Sequence, residues 1–121
     1  MAAANSIVQY VVVRGDLASV LKWPTGALIA QACHACTSVI HQNYKDDVTQ
    51  EYLSDLDRMH KIILEAKDDD ALNLLAENLI KNNIIHKLWI EQPENIPTCL
   101  AVKPYRKNDV SSHFKAFKLY K

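Results

Sequence analysis

Apolar residues occur along this chain in two patterns, short unbroken runs and helical spacings of three and four. The first run, residues 7–13 (IVQYVVV), is rich in β-branched residues and ends at Arg14-Gly15-Asp16. This pattern is typical of a buried central strand followed by a turn. Three further runs predict strands at residues 61–66, 84–90 and 98–102, with a Pro-bounded loop at residues 91–97.

Segments with helical spacing lie between and after these strands. They predict helices at residues 24–43, 48–60, 68–82 and 109–117. Three aspartates at residues 68–70 suit the positive end of a helix dipole, and Asn82-Asn83 suits the other end as a cap. The order strand-helix-helix-strand-helix-strand-strand-helix predicts an α/β fold with helices on both faces of the sheet.

Length and composition fit one globular domain. The chain has 121 residues, of which 49% are hydrophobic and 23% charged, enough to bury a core. We expect a short flexible N-terminus at residues 1–5 and a single domain at residues 6–121. No run approaches the roughly 20 apolar residues of a membrane helix, and the N-terminus lacks a secretion signal. An intracellular protein without membrane contact is therefore expected.

The cysteines favour a structural role. Cys33, Cys36 and Cys99 are an odd count without an export signal, which favours free thiols in a reducing compartment. Cys33 and Cys36 match C-x-x-C, but they fall within a predicted helix and no second pair completes a zinc site. We therefore favour buried thiols that act as small hydrophobes over a metal or redox site.

The formal net charge is +0, but it is unevenly distributed. Residues 45–70 hold nine acids and four bases, whereas residues 103–121 hold six bases and one acid. The basic end contains Lys103, Arg106 and Lys107, which are candidates for phosphate contacts. A solvated surface helix explains the same charges equally well.

The first long helix carries candidate chemistry. In α/β folds, ligands gather beyond the carboxyl ends of the parallel strands, where residues 14–26 and the loop from Glu91 are expected to meet. At 100° per residue, the sheet-facing arc is predicted to hold Leu28, Ile29, Ala32, Cys36, Val39 and Ile40. The opposite stripe is predicted to hold Ala27, Gln31, His34 and Ser38. His34 on this stripe is interpreted as either a surface residue or a catalytic one.

Glu91 ends a predicted strand close to Asn95 and Thr98, a group that could orient water and stabilise an oxyanion. Asp16 is interpreted either as a turn cap paired with Arg14 or as part of the same site. There is no G-x-S-x-G elbow, P-loop or dinucleotide fingerprint, and the chain has two glycines in all. We predict that Gln31, His34 and Glu91 line one cleft, with Asp16 nearby.

Three segments together resemble the type II peptidyl-tRNA hydrolase family: residues 11–17 (VVVRGDL), 26–35 (GALIAQACHA) and the strand-loop-strand at 91–104. The resemblance implies hydrolysis of the ester joining a peptide or N-blocked aminoacyl group to the tRNA 3′ end. It also implies a three-layer α/β/α fold with a four-stranded mixed sheet, no metal or organic cofactor, a cytoplasmic setting and a homodimer. Asp16, Gln31 and His34 fall on positions that match the family, and with Glu91 they are the expected catalytic residues. The expected substrate-binding residues are Gly26, Asn95, Thr98, Lys103, Arg106 and Lys107.

The chain departs from the family pattern at two places. Members of the family have Lys-Gly-Lys at the head of the first helix, where this chain has Thr25-Gly26-Ala27, so the second lysine is missing. The family's Asp-Ala-Gly run corresponds to Glu91-Gln92-Pro93, in a shorter loop. We expect an attenuated hydrolase. The alternatives are a catalytically silent relative that binds RNA or a protein partner, and a small-molecule ester hydrolase.

Overall fold

The computed structural model describes residues 5–121. Of the leader predicted at residues 1–5, residues 1–4 lie outside the described residues. Asn5 lies in a turn, and its side-chain oxygen accepts a hydrogen bond of 3.4 Å from the backbone N–H of Asn108. Across the described residues, no helix combines the length and apolarity needed to cross a membrane.

Helices and strands alternate much as the hydrophobic pattern predicts. The elements are β1 (Ile7–Arg14), α1 (Asp16–Ser19), α2 (Thr25–Gln42), α3 (Asp47–Leu53), a 3-10 turn (Leu56–Arg58), β2 (Lys61–Ala66), α4 (Asp69–Lys81), β3 (His86–Glu91), β4 (Ile96–Val102), β5 (Tyr105–Arg106), α5 (Lys107–Val110), a second 3-10 turn (Ser111–Phe114) and β6 (Lys118–Leu119). The α/β class and the four long predicted strands are confirmed.

The sheet is mixed, with the strand order β3-β4-β1-β2-β6, and β5 pairs with the start of β1. β1 runs parallel to β2 and antiparallel to β4, which in turn runs antiparallel to β3. β1, β2 and β3 therefore end at the same side of the sheet, here called the carboxyl edge. Their starting side is called the amino edge.

β1 is central because both of its faces are apolar, so it can be buried between two layers. Val8 and Val12 face a core closed by α4 and the second 3-10 turn, whereas Val11 and Val13 face a core closed by α2. Each such side chain contributes about 1.5–3 kcal/mol on burial. The predicted helices on both faces of the sheet are confirmed.

The predicted four-stranded sheet has six strands in residues 5–121. The two additional strands, β5 and β6, have two residues each and are too short to produce an alternating pattern. The predicted helix at 109–117 is likewise replaced by a short helix, a 3-10 turn and β6.

The helix predicted at 48–60 is too long. The helix ends at Leu53, where the Ser54 hydroxyl donates a hydrogen bond of 2.6 Å to the Glu51 carbonyl. A side chain that bonds its own backbone in this way competes with helix continuation. As a result, Leu56 and Met59 are exposed instead of extending the buried helical face.

The loop predicted at 91–97 is a tight turn. β4 already begins at Ile96, and the backbone N–H of Asn95 donates to the Glu91 carbonyl at 2.7 Å. Asn95 has φ 58°, a left-handed conformation that Asn tolerates better than most residues. Glu91 therefore stands at the last position of β3, directly opposite Ile96.

Candidate functional site

A buried ion pair joins two strands at the carboxyl edge. The Arg14 guanidinium donates to both carboxylate oxygens of Asp16, at 3.0 and 2.9 Å, and to the Pro97 carbonyl at 2.9 Å. The hydrogen bond with Asp16 raises the pKa of Arg14. These hydrogen bonds fix the end of β1 against the start of β4. Asp16 therefore lies near the predicted cleft, but both of its carboxylate oxygens are already hydrogen-bonded to Arg14.

Gln31 does not lie on the outward stripe predicted for it. It is 2% exposed and faces the sheet, where its Oε1 accepts a hydrogen bond of 2.9 Å from the Thr98 hydroxyl. Ile29, predicted to face the sheet, is 60% exposed instead. A buried amide is tolerated when it is hydrogen-bonded, and helical spacing alone cannot show that Thr98 supplies the partner.

A β-bulge aims Thr98 at Gln31. Trp89 pairs with Cys99 and Ile90 with Pro97, which leaves Thr98 without a partner on β3. Consecutive strand residues normally point to opposite faces. Thr98 and Cys99 nevertheless both contact Gln31, the latter through a hydrogen bond of 3.1 Å from its thiol to the Gln31 carbonyl. The bulge therefore brings two neighbouring side chains to one face.

Glu91 is held by neutral hydrogen-bond donors. Its Oε1 accepts a hydrogen bond of 3.0 Å from Nε1 of Trp89. This bond, followed by a hydrogen bond from Gln31 and the proximity of His34, lowers the pKa of Glu91. Because Thr98 occupies the Gln31 oxygen, the amide N–H groups of Gln31 are left to face the carboxylate. The donors favour the ionised form of Glu91 without cancelling its charge.

His34 joins the same cluster from α2. Its ring stacks on the Trp89 indole, with 4.9 Å between ring centroids and 25° between planes, and the residue is exposed. The structure therefore brings Gln31, His34 and Glu91 together, with Asp16 linked through Arg14 and Pro97. Trp89, which the sequence analysis did not single out, contacts both His34 and Glu91. The sequence feature that could have identified Trp89 is its position two residues before Glu91, which places both side chains on the same face of the strand.

The predicted substrate-binding residues at this edge differ in solvent exposure. Gly26 is exposed in the first turn of α2, with no atom within 4 Å of an added Cβ. Asn95 is exposed, and its Oδ1 accepts a hydrogen bond of 3.1 Å from Gln92. Thr98 is 0% exposed and does not reach the surface in this structure, so its contact with substrate stays a prediction. Its hydroxyl positions Gln31.

The predicted phosphate contacts lie at the amino edge. Arg106 pairs with Ile7 at the start of β1, whose eight residues at about 3.3 Å each separate the two edges by roughly 23 Å. Arg106 also donates to both carboxylate oxygens of Glu51 at 2.8 Å. Lys107 begins α5, and its backbone N–H donates to the Ser6 carbonyl at 3.0 Å.

Lys103 is buried, with 4% exposure, and forms an ion pair of 3.1 Å with Asp46. Its ammonium also lies 3.7 Å from the centre of the Tyr105 ring. Burial alone raises the pKa of Asp46, but hydrogen bonds from Thr49 and Lys103 outweigh it and lower the pKa overall. Lys103 and Arg106 are thus both paired with carboxylates in this structure, and their contact with phosphate stays a prediction.

Two of the three thiols are buried as expected, and the third, Cys33, is not. Cys36 and Cys99 are buried and Cys33 is exposed, and all three are free thiols. Burial raises the pKa of Cys36 and raises that of Cys99 to about 12, which keeps both protonated at neutral pH. Within residues 5–121, no group of three or more His, Cys, Asp or Glu side chains is arranged to hold a metal ion.

Comparison with known proteins matches this chain to one family. The family described as "Peptidyl-tRNA hydrolase PTH2" matches residues 7–120. The mouse protein named "Putative peptidyl-tRNA hydrolase PTRHD1" is 52% identical over 116 residues, which cover 95% of this chain and 83% of the mouse protein. The human protein of the same name is 50% identical over 116 residues, with the same shares covered.

Proposed function

Because the chain belongs to the peptidyl-tRNA hydrolase PTH2 family, we propose that it cleaves the ester joining a peptide or N-blocked aminoacyl group to the tRNA 3′ end. The observation that carries this proposal is the meeting of His34 and Glu91 on Trp89 at the carboxyl edge. An imidazole beside an ionised carboxylate is suited to activating water. The homodimer and the cytoplasmic location stay predictions.

His34 is assigned the proton transfer. The lowered pKa of Glu91 makes its carboxylate a weak proton acceptor, whereas imidazoles exchange protons near neutral pH. His34 takes a proton from water as the water attacks the ester carbonyl. The tetrahedral intermediate then collapses, and the same proton passes to the leaving 3′ oxygen of the tRNA. The products are a tRNA with a 3′ hydroxyl and a carboxylic acid, which releases its proton to the solvent and becomes a carboxylate.

Glu91 is assigned two effects on this step. Its charge stabilises the imidazolium that forms during attack, and its free lone pairs orient the water. Gln31 and Thr98 act behind Glu91, because both are buried and form a hydrogen-bonded chain that ends at the carboxylate. Asp16 anchors the edge through Arg14.

Ala27 explains the expected attenuation. It lies in the first turns of α2, one turn before Gln31, where the resemblance to the family implies a lysine. Pro24, the residue before this helix, makes no side-chain cap, and the positive end of the helix dipole favours an incoming anion. A lysine adds a full charge, worth on the order of a few kcal/mol in an enclosed site. Without it, we expect cleavage slower by a few powers of ten.

A single-turnover assay tests the proposal. Purified protein in excess over N-acetylated aminoacyl-tRNA should release the acyl group in one exponential phase, at a rate that saturates with enzyme. The His34→Ala variant, purified identically, controls for contaminating hydrolases. No release by folded protein that still binds tRNA would favour the catalytically silent relative.

A small-molecule ester hydrolase is the second candidate. It is favoured by the pairing of Lys103 with Asp46 and of Arg106 with Glu51, which engages two of the three expected phosphate contacts. An N-acetylated amino-acid ester without tRNA, assayed in parallel, separates the two. Comparable rates on both substrates would favour the second candidate, whereas tRNA dependence would favour the first.

A further inference from the structure

Trp89 contacts both groups to which the proposed chemistry is assigned. Its indole N–H donates to Glu91 at 3.0 Å, and its ring face stacks on His34 with centroids 4.9 Å apart. The remainder of the side chain packs against the apolar core beneath α2. One rigid, partly buried ring therefore holds a carboxylate by its edge and an imidazole by its face.

We propose that Trp89 is the positioning residue of the site, fixing the carboxylate of Glu91 and the imidazole of His34 relative to each other. The kinetic part of this inference rests on the proposed function, but the structural part does not. Trp89 does not transfer a proton, because an indole N–H only donates hydrogen bonds. It acts through the two groups that it touches.

The two contacts have different physical effects. The N–H bond favours the ionised carboxylate, and it fixes which oxygen is engaged and which remains free. The stacked face limits rotation of the exposed imidazole, which otherwise samples several rotamers at a cost in ordering entropy. Together the contacts convert two flexible side chains on separate elements into one fixed pair.

The strand supports this role. Trp89 and Glu91 lie two residues apart on β3, on the same face, and Trp89 pairs with Cys99 immediately before the bulge. The bulge in turn aims Thr98 at Gln31, the second donor to Glu91. The same short stretch of the β3–β4 ladder thus positions both side chains that donate hydrogen bonds to the Glu91 carboxylate.

Few charged groups surround Glu91, so its titration midpoint depends mainly on the hydrogen bonds that Trp89 and Gln31 donate to it. From α2, His34 faces it and favours the ionised form. From β4, Cys99 interacts with it but stays neutral, since burial raises its pKa to about 12. Gln31 and Trp89 are neutral donors. The Trp89 bond is the largest of the influences that lower the pKa of Glu91.

The test replaces the indole in two ways. Trp89→Phe keeps an aromatic face and removes the N–H, and 3-benzothienylalanine at position 89 removes the N–H while keeping the size of the ring. Trp23→Phe is the matched control, because Trp23 packs against the same core. The carboxyl carbon of Glu91 is followed by NMR against pH, assigned with Glu91→Gln. This measurement needs neither tRNA nor activity.

We expect the Glu91 midpoint to rise in both position-89 variants and to stay in place in Trp23→Phe. In the cleavage assay, kcat should fall about tenfold with KM unchanged. An unmoved midpoint in the folded benzothienyl protein, or an equal movement in Trp23→Phe, would overturn the inference. Absence of cleavage in every version, with the midpoint still shifted, would overturn the proposed function and leave the positioning role standing.

Discussion

Both edges of the sheet carry charged side chains, but the partners of these charges differ between the edges. At the amino edge, Lys103 meets Asp46 and Arg106 meets Glu51, so both of these cations are matched by an anion. At the carboxyl edge, Arg14 is matched by Asp16, but Glu91 is held by the neutral donors Trp89 and Gln31. Its negative charge is stabilised there without being cancelled.

Lys61 sharpens this difference. It also lies at the amino edge and is held by neutral partners, donating to Gln9 at 2.8 Å and to the Tyr52 hydroxyl at 3.1 Å. Lys61 as a whole is exposed, but desolvation of its ammonium group lowers its pKa, so its surroundings disfavour the charge, whereas those of Glu91 favour it. The presence of polar residues alone does not distinguish the two edges. They differ in whether the surroundings of the charged group favour or disfavour its ionised form.

The largest expected effect is at Glu91. Glu91→Gln keeps the size of the side chain and removes the charge that stabilises the imidazolium, so cleavage should fall by on the order of 10²–10⁴-fold. Glu94→Gln, in the exposed turn nearby, should change the rate little. Single-turnover rates on N-acetylated aminoacyl-tRNA measure both. Equal rates in wild type and Glu91→Gln would place the chemistry elsewhere.

Lys103→Ala should lower the free energy of unfolding by about 2–4 kcal/mol, because it leaves the partly buried Asp46 unpaired. Lys107→Ala, a half-buried lysine at the same edge, should cost less than about 1 kcal/mol. Urea denaturation compares the two. Folded Lys103→Ala should cleave at the wild-type rate, and a selective loss of cleavage would break the division between the edges.

The same ion pair gives a pH signature. The pKa of Asp46 is lower in the folded chain than in the unfolded one, so its contribution to stability is complete above about pH 4. It is lost as pH falls through the folded pKa. In Lys103→Ala this loss should be smaller between pH 4 and pH 2, about the range in which aspartates titrate. Thermal unfolding across that range is the measurement, and parallel curves for both proteins would contradict it.

Ala27→Lys should raise the cleavage rate about tenfold, because it adds a cation on the flank of α2 that carries His34. Ile29→Lys adds the same charge to an exposed position half a helical turn later, on the flank that lines an apolar groove. Single-turnover rates measured for both variants and for wild type separate the flanks. A similar gain in both would mean that the added charge attracts tRNA in general and does not stabilise the reacting ester.

The smallest expected effect is at Arg106. Because it is paired with Glu51, Arg106→Gln should change the free energy of unfolding by less than about 1 kcal/mol. The dependence of tRNA affinity on salt should keep its slope. Fluorescence anisotropy over a salt series measures that slope, and a decrease of about one would show that Arg106 does contact a phosphate.

Local patterns predicted most of the fold. β2 matches its predicted bounds, and β1, α2 and α4 agree within about a residue, because an unbroken apolar run or an acid-capped helix is specified by its own segment. Asp68, for example, caps α4 by accepting a hydrogen bond of 2.9 Å from the backbone of Ala71. The strands β5 and β6 were missed because pairing with β1 and β2 defines them, and their two residues do not.

The candidate site was predicted in part. The meeting of His34 and Glu91 follows from the edge at which β3 ends and from the flank of α2. The orientation of Gln31 does not, because its partner Thr98 is 67 residues away and is turned toward it by a bulge. The burial of Lys103 depends likewise on Asp46, in a different element. Pairings between distant segments have no local signature.

Because of the bulge at Thr98, the number of residues between β3 and β4 determines which way the Thr98 side chain points. Removing one residue between Glu91 and Cys99 would allow a regular ladder, in which Thr98 alternates with Cys99 and points away from Gln31. The core could still form, but the amide that faces Glu91 would lose its orientation. In this turn, substitutions should therefore be tolerated far better than insertions or deletions, and a single-residue deletion should silence the site while leaving the domain folded.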